Sequence, residues 1–96
     1  MGVDEHEVPL GEGGLHAGEW ATSMLAAIHP ELVHMERAAP GYTGDPQAAI
    51  ASLFTSDVRS VSENGVIGDP AHSSAEHGAR YWDTVLAVAL AEIEQP

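Results

Sequence analysis

The chain has 96 residues, a formal net charge of −12, three Arg, no Lys and no Cys. That length gives at most one small domain with a thin core, since a chain of this size buries only about 60–65% of its unfolded surface on folding. Arg37, Arg59 and Arg80 are too few to build a basic patch, which argues against nucleic acid and anionic membrane surfaces as partners, and the lack of Cys removes disulfide and thiol chemistry and fits a cytoplasmic protein.

Residues 1–14 are acidic and glycine-rich, with Val8-Pro9-Leu10 as their apolar spot, and are expected to form a flexible arm ahead of a partial domain over 15–96. The arm has no apolar stretch of the kind a signal peptide carries, and the run Val85 to Ala91 is too short to span a bilayer. A first helix is expected from about Ala17 to His29. Ala17, Trp20, Ala21, Met24, Leu25 and Ile28 form one apolar stripe, and Glu19 in the first turn suits the helix dipole. His29 precedes Pro30 and so avoids the α region, which ends the helix.

Leu32 to Arg37 reads as a short strand or a turn, and Ala39 to Pro46 as a loop. Pro46 starts a short helix through Phe54 with Asp45 as its N-cap. Asp57 to Ser62 reads as a strand, with Val58 and Val61 flanking Arg59. Asn64-Gly65 and Gly68-Asp69-Pro70 are turns. In the last helix, Ser73 and Glu76 form a capping box, and Trp82, Val85, Leu86, Ala89, Leu90 and Ile93 form the apolar stripe. A lone strand needs hydrogen-bonding partners from elsewhere, so the pattern reads as a piece of an α/β domain.

Candidate ligating groups are scattered. Asp4, Glu5, His6, Glu7, Glu12 and His16 would make an improvised metal site if the arm folded back; a solvated acidic arm is the simpler expectation. His29 and His34 lie across a Pro and do not share a helix face; His72 and His77 are expected at the surface. Trp20 and Trp82 lie on apolar stripes and are expected in the core or an interface.

Two segments carry a family likeness. Leu15-His16-Ala17-Gly18 followed by Thr22-Ser23-Met24-Leu25 resembles the His-Ala-Gly-x-x-Glu-Thr-Ser segment of the creatininase-family amidohydrolases. Asn64-Gly65-Val66-Ile67-Gly68-Asp69-Pro70 with Ser74-Ala75-Glu76 is similar to that family's C-terminal loop and helix start; Pro30-Glu31-Leu32-Val33 and Pro40-Gly41-Tyr42-Thr43 look like its intervening turn and loop. The resemblance spans roughly Leu15 to Leu90, and its wording is closest to the branch associated with mycofactocin maturation. It implies the C-terminal portion of an α/β domain with a mostly parallel sheet, two main helices plus one short helix in this chain, and a Zn or Mn pair in the complete enzyme. His16 then corresponds to an active-site histidine acting near the metals. Two departures stand out. Ala21 occupies the place of the family's Glu, and Glu19 lies about 200° around the helix from it. The family's Glu-x-His-Gly and Gly-His-x-x-Asn segments, which supply most metal ligands there, have no counterpart here.

The resulting expectation is the C-terminal segment of a metal-dependent amidohydrolase, inactive alone and completed by a complementary N-terminal chain or within a homo-oligomer. The alternative is a non-catalytic acidic interaction or assembly subunit on a relic fold.

Overall fold

The structure is a computed structural model and describes residues 5–95. Elements follow in the order β1 (Gly14–His16), α1 (Glu19–Ile28), two single 3-10 turns at Pro30–Leu32 and Met35–Arg37, α2 (Pro46–Thr55), α3 (Val58–Val61), β2 (Ile67–Gly68) and α4 (Ala75–Glu94). The Cα radius of gyration is 14.5 Å, larger than the roughly 12–13 Å of a compact domain of this length.

β1 and β2 pair antiparallel, with Gly14 opposite Gly68 and His16 opposite Ile67 and an irregularity between them. Tyr42 adds a parallel bridge to Ile67, supported by Tyr42 N–H to Val66 O at 3.0 Å and Gly41 N–H to Gly68 O at 3.0 Å. The mostly parallel sheet expected from the family likeness is therefore not what the described residues form: their one sheet is two antiparallel strands. Close backbone approach dictates the glycines here. Gly14 has φ 110° and Gly68 φ 143°, and a Cβ on Gly14 would run into the Ile67 carbonyl oxygen.

The expected strand over Asp57 to Ser62 is instead the single helical turn α3. Asp57 decides this, because its carboxylate accepts from Ser60 N–H at 3.0 Å and caps the turn. Val58 and Val61 are three apart, which puts them on one face of a helix but on opposite faces of a strand. Leu32 to Arg37, left open between strand and turn, forms the 3-10 turns. α2 starts as expected, with Pro46 at N1 and Asp45 accepting from Gln47 N–H at 3.1 Å. The Asn64-Gly65 turn also forms: Asn64 Oδ1 accepts from Val66 N–H at 3.1 Å, and Gly65 has φ 81°.

The packing core is α1 against α4. α1 buries Glu19, Ser23 and Ala26, whereas Ala17, Ala21, Leu25 and Ile28 of the expected stripe are exposed. The reason is steric. Gly78 lets α4 approach so closely that a Cβ there would collide with the Ser23 carbonyl oxygen, and this contact turns the small polar face of α1 inward. Trp82 packs into the same interface and donates its indole N–H to Met24 O at 3.0 Å. The cap of α4 sits one residue later than expected: Ser74, not Ser73, is the N-cap and accepts from His77 N–H at 3.0 Å. Among the described residues the buried apolar side chains are Ala26, Ala49, Ile67 and Tyr81, a thin core as the length requires. The α4 stripe runs beyond α1 into solvent, with Leu86 and Leu90 each 55% and Ile93 78% exposed.

Candidate functional site

His16 ends β1, immediately before the turn into α1. Ala17 has φ 53°, a left-handed conformation uncommon for a residue with a Cβ, and Thr22 Oγ1 donates to Ala17 O at 3.3 Å across this junction. Gly18 caps the helix without a side-chain bond. The His16 ring is exposed, and its Nδ1 lies 2.5 Å from Gly65 O. A carbonyl oxygen only accepts, so Nδ1 carries the hydrogen and, in the neutral ring, Nε2 carries the lone pair. The β1 terminus and the Asn64-Gly65 turn thus fix the tautomer that a general base or a metal ligand needs. One helical turn on, Ala21 lines a groove of about 420 Å³ together with residues including Val33, Met35 and Val66. Where the family likeness places a carboxylate, this groove presents a methyl group.

The polar centre of the molecule lies on the other face of α1. The Glu19 carboxylate, 3% exposed, accepts from four side chains drawn from both helices and the α4 approach. Ser23 Oγ at 3.0 Å, Tyr81 OH at 2.9 Å and His77 Nδ1 at 2.7 Å converge on Oε2, and Ser73 Oγ reaches Oε1 at 3.2 Å. Ser23 Oγ in turn accepts from Ser74 N–H at 3.1 Å. His77 is 2% exposed, which corrects the expectation of a surface histidine; His72 is exposed as expected. Burial is the main cause that pushes the Tyr81 hydroxyl up to about 12; the hydrogen bond to Glu19 and the charges of Glu19 and Glu7 add to it, and the bond from Val8 N–H opposes it. With three donors on Oε2, one on Oε1 and the carboxylate buried, Glu19 is a tie between helices.

Glu19 and Ile67 also line a cleft of about 480 Å³, together with Glu5, Asp69 and the His6–His72 pair, whose rings stack at 3.7 Å. Among the described residues no group of three or more His, Asp or Glu could hold a metal ion. The improvised arm site therefore does not assemble among them, and Asp4 lies outside the described residues. His29 and His34 each face a nearby acid, Glu31 at 3.0 Å and Glu36 at 3.5 Å. Trp20 stacks on Tyr81 at 4.0 Å, so both tryptophans are packing residues. The Glu19 cluster escapes a reading based on apolar periodicity. Its trace in the sequence is polar: Glu19 and Ser23, and His77 and Tyr81, are i, i+4 pairs on two helices.

The family model described as creatinine amidohydrolase matches residues 3–93. The chain is 38% identical over 81 residues to a mycofactocin precursor peptide peptidase of Mycobacterium ulcerans, covering 84% of this chain and 32% of that protein. It is 37% identical over 74 residues to proteins of the same description from two strains of Mycobacterium tuberculosis, covering 77% of this chain and 30% of each. The chain thus spans about a third of the length of these relatives. No solved structure matches it. No helix among the described residues is long and apolar enough to cross a membrane.

Proposed function

We propose, from the premise that this chain belongs to the creatininase family, that it is the segment of a metal-dependent amidohydrolase that contributes His16 to an active site completed by another chain. The reaction class is hydrolysis of an amide or cyclic amide, with a peptide as the substrate suggested by the relatives described as mycofactocin precursor peptide peptidases. Zn or Mn is the expected metal of the completed site. The residues present do not fit a metal by themselves: no suitable cluster occurs among the described residues, and the buried carboxylate of Glu19 is engaged by four side-chain donors.

The observation that carries the reading is the His16 environment. An exposed imidazole is held at Nδ1 by Gly65 O, so that in the neutral ring Nε2 carries the lone pair. In a completed site that nitrogen takes up or returns a proton at the scissile amide. Thr22 and the left-handed Ala17 orient the ring by fixing the strand-to-helix junction. The completing chain supplies the metal ligands and the carboxylate that Ala21 lacks. The exposed half of α4, from Leu86 to Ile93, offers apolar surface for its association, and the cytoplasm is the compartment proposed for the assembly. Ala21 favours one second reading, in which the chain keeps only the assembly role.

Reconstitution tests this. The purified chain is mixed with a polypeptide covering the remaining two-thirds of the Mycobacterium ulcerans relative, with Zn or Mn, and assayed on short peptides and lactams. Turnover is expected in the mixture, not in the chain alone, and is lost in His16→Ala. Turnover unchanged by His16→Ala refutes the role of His16. Turnover and stoichiometric metal in the chain alone refute the need for a partner. An assembled complex with no turnover supports the assembly reading.

A further inference from the structure

Residues 7–9 lie on the α1–α4 junction in the manner of a bound peptide. Arg80 grips the Glu7 carboxylate through Nε at 2.8 Å and Nη2 at 2.7 Å, leaving the Glu7 side chain 10% exposed. Val8 N–H donates to Tyr81 OH at 3.1 Å, and Val8 C=O accepts from Trp20 Nε1 at 3.0 Å. The two aromatic rings are stacked nearly parallel, 11° apart, so their polar ends are held in fixed register. This is readout of one carboxylate and one extended backbone unit; the polar contacts make no use of the Val8 side chain. Beyond Pro9 the chain passes through Gly11 at φ 87°, Gly13 at φ 89° and Gly14 at φ 110°, and no atom lies within 4 Å of where a Gly11 Cβ would project. Gly14 belongs to β1 and Gly13 O accepts from Glu19 N–H, so Gly11 is where the arm can turn without disturbing β1.

We infer that Trp20, Arg80 and Tyr81 form a binding site for an extended peptide that carries an acidic side chain followed by a residue read through its backbone, and that Glu7–Pro9 is the site's intramolecular occupant. Main-chain hydrogen bonds supply affinity and the Arg–carboxylate pair supplies the selection, the division of labour common in recognition of extended peptides. The cis occupant acts at an effective concentration on the order of millimolar, so a peptide in trans must compete with it. Because Val8 and His6 also line the 480 Å³ cleft, displacement of the arm opens that cleft as well.

The test uses the full-length chain, isotopically labelled, with Glu7→Ala to loosen the arm. It is titrated by NMR with a capped peptide of residues 5–10, Glu-His-Glu-Val-Pro-Leu. A saturable shift of the Trp20 indole N–H is expected, with the Trp82 indole unmoved. Affinity should fall at least about tenfold when Arg80→Ala is added or when the second Glu of the peptide is replaced by Lys. A Trp20 indole that stays still at millimolar peptide, or equal binding of the Lys peptide, overturns the proposal. A second measurement covers the case in which Glu7→Ala unfolds. In the native chain the Val8 amide should exchange with solvent far faster than the amides of Ala26 and Tyr81. Exchange of Val8 only with global unfolding would place the arm in the core and overturn the proposal equally.

Discussion

Glu19 ties the two main helices together, and replacing it measures how much of the fold rests on that tie. In Glu19→Ala, the groups Ser23, Ser73, His77 and Tyr81 lose a common acceptor while all four stay buried. Each buried donor left without a partner costs about 1–3 kcal/mol, and Glu19→Ala strips the acceptor from four of them at once. A chain of this length holds about 5–14 kcal/mol of stability, and its thin core places it toward the low end, so the Ala variant should be largely unfolded. Glu19→Gln keeps the shape. Its amide oxygen replaces Oε2, and its NH2 replaces Oε1, where the Ser73 hydroxyl can turn to accept. Three charge-assisted bonds become neutral ones, a loss of about 2–3 kcal/mol, or a fall in Tm of roughly 8–24 °C. Urea unfolding followed by tryptophan fluorescence is the assay, since Trp20 and Trp82 both sit at the α1–α4 interface. A Gln variant within about 0.5 kcal/mol of the native chain, or an Ala variant no worse than Gln, would refute the argument that a charged acceptor holds these helices.

Tyr81 predicts an alkaline limit. Its folded-state hydroxyl is raised from 10.0 to about 12, chiefly by burial, so the folded protein keeps a proton that the unfolded chain releases. Stability is fully present below pH 10 and falls as pH rises from 10 through about 12; urea midpoints across this window should show the fall, and Tyr81→Phe should flatten it. Gly78→Ala sets a methyl group against the Ser23 carbonyl and should cost about 2 kcal/mol or more, read by thermal unfolding, because backbone rather than a flexible side chain must move. Ala17→Gly removes left-handed strain of roughly 1–2 kcal/mol while adding freedom to the unfolded chain, so a net gain of up to about 1 kcal/mol is expected in the same assay.

Local chemistry was legible in the sequence wherever a single residue dictates the backbone. Pro46 behind Asp45, Pro30 after His29, and Asn64-Gly65 all do what their stereochemistry requires. The apolar face of α4 followed from its periodicity, and the place of His16 just ahead of α1 followed from the expected helix start; the strand β1 that His16 ends was not expected. The helical turn at Val58–Val61 was missed because valines favour strands, whereas the Asp57 carboxylate caps a turn there. The inward face of α1 was missed for a deeper reason. Hydrophobic periodicity assumes that helices bury their largest apolar side chains, whereas here Gly78 permits an approach that only Ser23 and its neighbours can fill. Glu19 and His77 are 58 residues apart, and neither position alone indicates that a partner waits on the other helix.

The choice of a hydrogen-bonded carboxylate over apolar side chains at the centre of the fold has a thermal consequence. Heat capacity rises on unfolding because apolar surface meets water, and falls with polar exposure. With Ala26, Ala49, Ile67 and Tyr81 as the buried apolar groups among the described residues, and Leu86, Leu90 and Ile93 already wet before unfolding begins, this chain should fall well short of the roughly 1.2–1.5 kcal/mol/K usual per 100 residues. Its free energy of unfolding then bends little with temperature, and warming erodes it almost linearly instead of along the steep dome of an apolar core.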